Sequence, residues 1–301
     1  MELALITVKQ VVVLFILIFA GFVCVKTKAV KMEGKKAFSD LLLYLIVPAM
    51  VINSYMMEFN IDILHNLLKA FELSILLLLI GLFITLALTA KHKSPDLPIM
   101  RFACIFSNAA YMGFPLIQAL FGSEGLLYAS AFVTVYNILL WTAGYGIVSK
   151  KVRAKEVLRT IFTNPVLISV VAGLLIYLCQ IIKQPVSLVG NMNTPLSMFI
   201  TGMIIAGSDV KGLVYNKNIW YIILVRQLVI PAVCFGVFSL FHVTGMAAQV
   251  VLLLEACPSA AITSVFAVQF GYDENLAAGA VVITTFFSIL TLPVCAMLLT
   301  A

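Results

Sequence analysis

Apolar residues occupy this chain in nearly unbroken stretches of about twenty, the length that crosses the hydrocarbon core of a bilayer as a helix. Short polar clusters separate them: Lys31–Lys36, Lys91–Asp96 with Pro95 inside and Pro98 just beyond, Lys150–Arg159, Lys183–Pro185 and Asp209–Asn218. The pattern predicts ten transmembrane helices, at 8–26, 37–57, 65–90, 98–121, 125–148, 161–182, 187–207, 219–241, 246–270 and 275–300. The expected fold class is an all-α membrane protein, with no length left over for a soluble domain. The run Val11–Val25 resembles a secretory signal, but no small-residue cleavage site follows it, and Gly21-Phe22-Val23 before Cys24 makes a poor lipoprotein signal. It is expected to remain as the first span.

Composition agrees. Of 301 residues 63% are hydrophobic and 11% charged, and the mean hydropathy is +1.13. Soluble chains run at about 45–50% apolar and 25% charged, so most of this apolar surface must face lipid. The six cysteines all fall inside apolar runs without metal-ligand spacing and read as small packing residues. The net charge of +6 does not point to nucleic acid, because lysines and arginines sit between the apolar runs. The loops after odd-numbered spans carry 15 of them, the opposite side 3, and Arg226 lies inside a span. Basic loops stay in the cytoplasm. With an even number of spans, both termini are then extracytoplasmic, in a multi-pass protein of the plasma or inner cell membrane.

The two halves echo each other. Phe121-Gly122-Ser123-Glu124 and Phe270-Gly271-Tyr272-Asp273 are 149 residues apart, Val47-Pro48 and Thr194-Pro195 are 147 apart, and Ala20-Gly21 and Ala172-Gly173 are 152 apart. The division this suggests is a first five-span repeat over 1–160 and a second over 161–301. Five is odd, so the second copy inserts upside down. Inverted repeats with interrupted helices are a common plan of secondary transporters, whose substrate sites lie at the repeat interface.

Helix-breaking residues fall at matching places in the fourth and ninth spans. The fourth reads Ser107-Asn108-Ala109-Ala110-Tyr111-Met112-Gly113-Phe114-Pro115, the ninth Glu255-Ala256-Cys257-Pro258-Ser259-Ala260-Ala261. Proline removes a backbone donor and glycine weakens a helix. Backbone groups freed inside a membrane must be buried in protein or line a wet cavity. Asn108 and Glu255 lie roughly 13–15 Å deep at about 1.5 Å per residue, close to the midplane. Half-helices starting after such breaks aim their positive N-terminal ends at the centre, which favours an anionic group. The candidate substrate-binding residues are Asn108, Gly113, Pro115, Pro258 and Ser259.

Glu255 is the sharpest single residue, since an intramembrane carboxylate costs at least about 2.5–3.5 kcal/mol on insertion scales. It could carry a proton or bind Na⁺, or stay protonated and structural. Ser107, Ser130 and Thr134 are candidates to add oxygens to such an ion site, the last two one turn apart on the fifth span; ordinary helix packing is their alternative. Three readings stand for Arg226: snorkelling to the headgroups, binding a substrate carboxylate, or pairing with Glu255. Glu72 is placed at the membrane interface, with proton coupling as its alternative, and Asn53, Asn137 and Gln118 are ambiguous polar residues. No enzyme motif and no histidine metal pair occurs in the sequence, so neither enzymatic activity nor a bound cofactor is expected, beyond a coupling Na⁺ or H⁺.

The run Asn108-Ala-Ala-Tyr-Met-Gly113-Phe-Pro115-Leu, Asn164-Pro165-Val-Leu, and Cys257-Pro258-Ser-Ala followed by Phe270-Gly271-Tyr-Asp273 resemble the auxin efflux carrier family over essentially the whole chain. The long central hydrophilic loop of the plant carriers is missing, and the chain looks like the short prokaryotic branch with members described as malonate or malate permeases. The resemblance implies ten helices in inverted repeats, the fourth and ninth crossing at the substrate site. It further implies a dimerising scaffold of spans 1, 2, 6 and 7 and a moving transport domain of spans 3–5 and 8–10. Asn108, Pro115 and Pro258 match the family's crossover residues, and Glu255 is similar to the sodium-binding Glu of bile-acid symporters. The function expected is an elevator-type carrier of small carboxylates, working as a homodimer. A non-transporting sensor or scaffold on the same fold is the alternative.

Overall fold

The computed structural model describes residues 2–56, 61–149, 163, 165–176, 183–208 and 215–299. Lys150–Arg159, Asn164, Cys179 and most of Asp209–Asn218 lie outside the described residues, as does much of the expected span 161–182. The described chain is helical: α1 Glu2–Lys26, α2 Gly34–Tyr55, α3 Ile61–Leu88, α4 Leu97–Ile105, α5 Ala109–Ser149, α6 Pro165–Ile176, α7 Lys183–Ala206, α8 Lys217–Leu240, α9 Met246–Glu255, α10 Ile262–Phe270 and α11 Glu274–Leu298. Among the described residues seven helices are long and apolar enough to cross a membrane: α1, α2, α3, α5, α7, α8 and α11.

The count differs from ten because the expected sixth span is only partly described and because the fourth, fifth and ninth differ locally. The expected fourth span is cut after Ile105 and resumes at Ala109. Its second part runs on into the fifth, with only Gly122 leaving helical geometry at φ 61° and ψ −148°. That left-handed backbone is open to glycine and strained for other residues. The ninth span is cut between Glu255 and Ile262.

The surface is the inverse of a soluble protein's. On α1, Val11, Leu14 and Ile18 are buried while Leu5, Val12, Ile16 and Phe19 are exposed. On α3, Leu67, Ala70, Leu77 and Leu78 face inward while Leu68, Ile75, Leu79 and Phe83 face out. Both faces are apolar, so lipid, not water, suits the outer one.

Small residues set the closest packing. A Cβ at Gly202 of α7 would lie 2.0 Å from the Ile18 carbonyl oxygen, and one at Gly21 of α1 would lie 2.3 Å from the Phe199 carbonyl oxygen. The two backbones touch directly, as small residues allow between membrane helices.

Proline loosens several helices without ending them. Wider, π-type turns at Leu42–Ile46, Ala109–Gly113 and Leu224–Val229 each stop just before Pro48, Pro115 or Pro231. A proline cannot donate to the preceding turn and crowds its carbonyl, so the ladder widens there.

Candidate functional site

The two interrupted segments meet. Phe106 is extended, at φ −98° and ψ 120°, and Ser107 pairs with Ser259 as an isolated antiparallel bridge. The Asn108 amide donates to the Pro258 carbonyl at 2.7 Å, and the Ala260 amide donates to the Phe106 carbonyl at 2.9 Å. Each break thus satisfies backbone groups of the other, as non-helical backbone at membrane depth requires. Side chains add to the clamp. Ser259 Oγ donates to the Ala103 carbonyl at 2.9 Å, and the Ser259 amide donates to Thr284 Oγ1 of α11 at 3.0 Å.

Arg226, fully buried, lies against the ends of both first halves. Its Nε donates to the Cys257 carbonyl at 3.1 Å. Its Nη1 donates to the Cys104 carbonyl at 3.2 Å, the Ile105 carbonyl at 3.1 Å and Glu255 Oε1 at 2.9 Å. Its Nη2 donates to the Glu255 carbonyl. These carbonyls belong to the C-terminal ends of α4 and α9 or follow them directly, where a helix leaves acceptors unpaired and carries partial negative charge. Arg226 and Glu255 both have 0% side-chain exposure. Snorkelling is therefore excluded for Arg226, and pairing with Glu255 is what the structure holds. Gly81 of α3 makes room for the carboxylate, since a Cβ there would lie 3.1 Å from Glu255 Oε1.

Among the described residues, Ser107 Oγ, Asn108 Nδ2, Thr263 Oγ1, Ser264 Oγ and Glu255 Oε2 are buried without a hydrogen-bond partner. Buried polar atoms are normally paired. Ser107 and Asn108 immediately precede α5, and Thr263 and Ser264 open α10. A cavity of about 530 Å³ is lined by residues that include Met32, Lys35, Ser208, Gln269, Glu274 and Ser264, the last being the neighbour of Thr263 in the chain.

The other candidates fall elsewhere. The break opens at residues 106–108, ahead of Gly113 and Pro115, which lie inside the resumed helix. Pro115 occupies its first turn after the wide π-type segment, where a missing N–H costs little. Gly113 serves packing, because a Cβ would lie 2.5 Å from Leu254 Cδ2. Pro258 and Ser259 are in the second break itself. Ser130 Oγ donates to the Leu127 carbonyl and lies 3.0 Å from Tyr55 OH, while Thr134 Oγ1 donates to the Ser130 carbonyl. Glu72 is exposed on α3, Gln118 Nε2 donates to Asn191 Oδ1, and Asn137 Nδ2 donates to the Val133 carbonyl. Sequence reasoning missed Thr263, Thr284 and Gly81. Thr284 and Ser288, one turn apart on an apolar helix, were a readable sign of an inward polar stripe.

A family model described as membrane transport protein matches residues 6–296. A protein named as an uncharacterized transporter from Methanocaldococcus jannaschii is 24% identical over 306 residues, covering 96% of this chain and 97% of its own. Another uncharacterized transporter, from Methanothermobacter thermautotrophicus, is 22% identical over 202 residues, covering 65% of this chain and 66% of its own. With the family model spanning nearly the whole chain, this multi-pass helical protein belongs to the membrane transport protein family that its motifs resemble, the auxin efflux carriers.

Proposed function

We propose that the protein is a secondary transporter or facilitator of small organic anions, carboxylates above all, with its site where the two broken spans meet. The observation that carries this reading is the set of buried polar atoms of Ser107, Asn108 and Thr263 without partners among the described residues. They stand where α5 and α10 begin, and helix starts favour anions. A carboxylate would accept from Asn108 Nδ2 and the hydroxyls, a gain of about 1.5–3 kcal/mol for each bond to a charged group.

On this reading the paired amide-to-carbonyl bonds on either side of Ser107 and Ser259 are the local mark of two inverted five-span repeats whose fourth and ninth spans cross. The cavity between the α2–α7 side and the α10–α11 side would be the cytoplasmic approach. Alternating access would come from an elevator movement of spans 3–5 and 8–10 against a scaffold of spans 1, 2, 6 and 7, which would also form the homodimer. Both termini would lie outside. Any ion coupling, by H⁺ or Na⁺, would act on the moving spans 3–5 and 8–10.

Counterflow in proteoliposomes with radiolabelled mono- and dicarboxylates, with and without Na⁺ and a pH gradient, tests the proposal. Exchange of at least one carboxylate is expected, and Asn108→Ala should weaken its half-saturation about ten-fold or more, the equivalent of one lost bond to a charge. No exchange of any carboxylate by folded protein, or an Asn108→Ala variant with unchanged affinity, would refute it.

A further inference from the structure

We infer that the Arg226 guanidinium is a resident cation filling what is otherwise an alkali-cation site beside Glu255, so that no free Na⁺ binds there. Five oxygens accept from it: the carbonyls of Cys104, Ile105, Cys257 and Glu255, and Glu255 Oε1. Hard cations are held by such carbonyl and carboxylate oxygens. Glu255 Oε2, without a partner among the described residues, is a sixth oxygen within the same carboxylate.

Charge balance sets the ion class. Carbonyls carry no net charge, so the cage holds one formal negative charge from Glu255, and one guanidinium cancels it. If the guanidinium were removed, a monovalent ion would restore neutrality, whereas a divalent ion would leave a surplus positive charge in a buried place. The carbonyls come from helix ends and cannot turn away to water, because both breaks are locked to each other by backbone bonds. The three oxygens around Nη1, at 2.9–3.2 Å from it, are therefore held in place for a cation in its position.

The inference deepens the proposed function by assigning the coupling: a carrier with its cation built into the chain takes up no Na⁺ at Glu255 during its cycle. Its test is independent of transport. A failed exchange assay leaves the cation cage standing, and a failed cage leaves carboxylate exchange standing.

The experiment is thermal melting of the full-length protein in detergent, in NaCl, KCl and choline chloride at equal ionic strength. Wild type should melt at the same temperature in all three salts. Arg226→Ala should melt roughly 4 °C or more higher in NaCl or KCl than in choline chloride, the scale of a ligand well above its Kd. Arg226→Ala/Glu255→Gln, lacking the cage's charge, should lose that difference. A wild-type stabilisation by Na⁺ that disappears in Glu255→Gln would overturn the inference. So would a folded Arg226→Ala indifferent to all three salts. An Arg226→Ala lost equally in all three would overturn it as well, because a cage that accepts free cations would be rescued by them.

Discussion

Arg226→Met and Glu255→Gln remove the two halves of one buried ion pair, yet they should differ widely in cost. Met keeps the length of the arginine stem but strands a buried carboxylate and four carbonyls, those of Cys104, Ile105, Glu255 and Cys257. Removing one partner of a buried pair costs about 3–5 kcal/mol, and each abandoned carbonyl adds to that up to its own desolvation penalty of about 1–3 kcal/mol. Gln at 255 still offers an oxygen to Nη1 and leaves all four carbonyl bonds intact. Arg226 loses its counter-charge but keeps all its acceptors, four of them carbonyls at the negative ends of α4 and α9, so the cost stays near that of one charged hydrogen bond, about 1.5–3 kcal/mol. The expected gap is at least about 2 kcal/mol, or roughly 4–8 °C in melting temperature for a chain of this size. The assay is unfolding of purified protein in detergent, followed by tryptophan fluorescence in choline chloride so that no alkali ion substitutes for the guanidinium. The double variant Arg226→Met/Glu255→Gln should recover part of the loss, because it removes the stranded charge. Equal melting of the two single variants, or a costlier Glu255→Gln, would mean that the carboxylate holds Arg226 in place and that the helix ends contribute little.

Single cysteines at Lys93 and at Ser123, each in a cysteine-free background, should react with a membrane-impermeant maleimide from the cytoplasm and from outside respectively; labelling from one side would overturn the proposed orientation and the inverted repeat. Gly202→Ala should destabilise by about 1–3 kcal/mol, since its Cβ would meet the Ile18 carbonyl oxygen at 2.0 Å. Gly236→Ala, where nothing lies within 4 Å of the new Cβ, should be neutral or slightly stabilising in the same melting assay, and equal losses at both glycines would refute the close-packing argument.

Hydropathy made the helical class and most spans legible because lipid demands long apolar runs whatever the neighbours are. The broken spans were legible for a related reason: Pro115 and Pro258 are chemically unable to continue a regular ladder. Where the chain opens was harder to read. In the fourth span the opening precedes Pro115 by several residues, because the wide turn at Ala109–Gly113 absorbs the proline. The strand-like pairing of Ser107 with Ser259 pulls Phe106 out of the helix instead. That pairing joins residues far apart in the chain, and no local pattern encodes it. Arg226 shows the same boundary. Its place inside a span was visible, but snorkelling was the favoured explanation, and it is the five oxygens on two separate segments around it that decide for pairing. Thr263 was passed over because a threonine in an apolar helix ordinarily bonds back to its own carbonyls, as Thr284 and Thr285 do here. Only the structure distinguishes a hydroxyl that has done so from one that has not.

The four helix ends at the centre are treated unequally, and the inequality bears on selectivity. Breaking two spans mid-membrane creates two negative ends, on α4 and α9, and two positive ones, at the starts of α5 and α10, each equivalent to roughly half a charge. Arg226 binds the carbonyls of the negative pair and is ion-paired with Glu255. Among the described residues no carboxylate is bonded to the start of α5 or α10; the groups there are Ser107, Asn108, Thr263 and Ser264, with polar atoms still unpaired. The starts of α5 and α10 therefore face neutral side chains, whereas the ends of α4 and α9 face a charged one. On the proposed reading the positive potential at the two starts is what a carboxylate neutralises on binding. A cationic substrate would meet the same positive ends, while the carbonyls at the negative ends are already bound to Arg226. On the proposed reading, the geometry that seals the negative ends is also the geometry that would favour an anion at the centre.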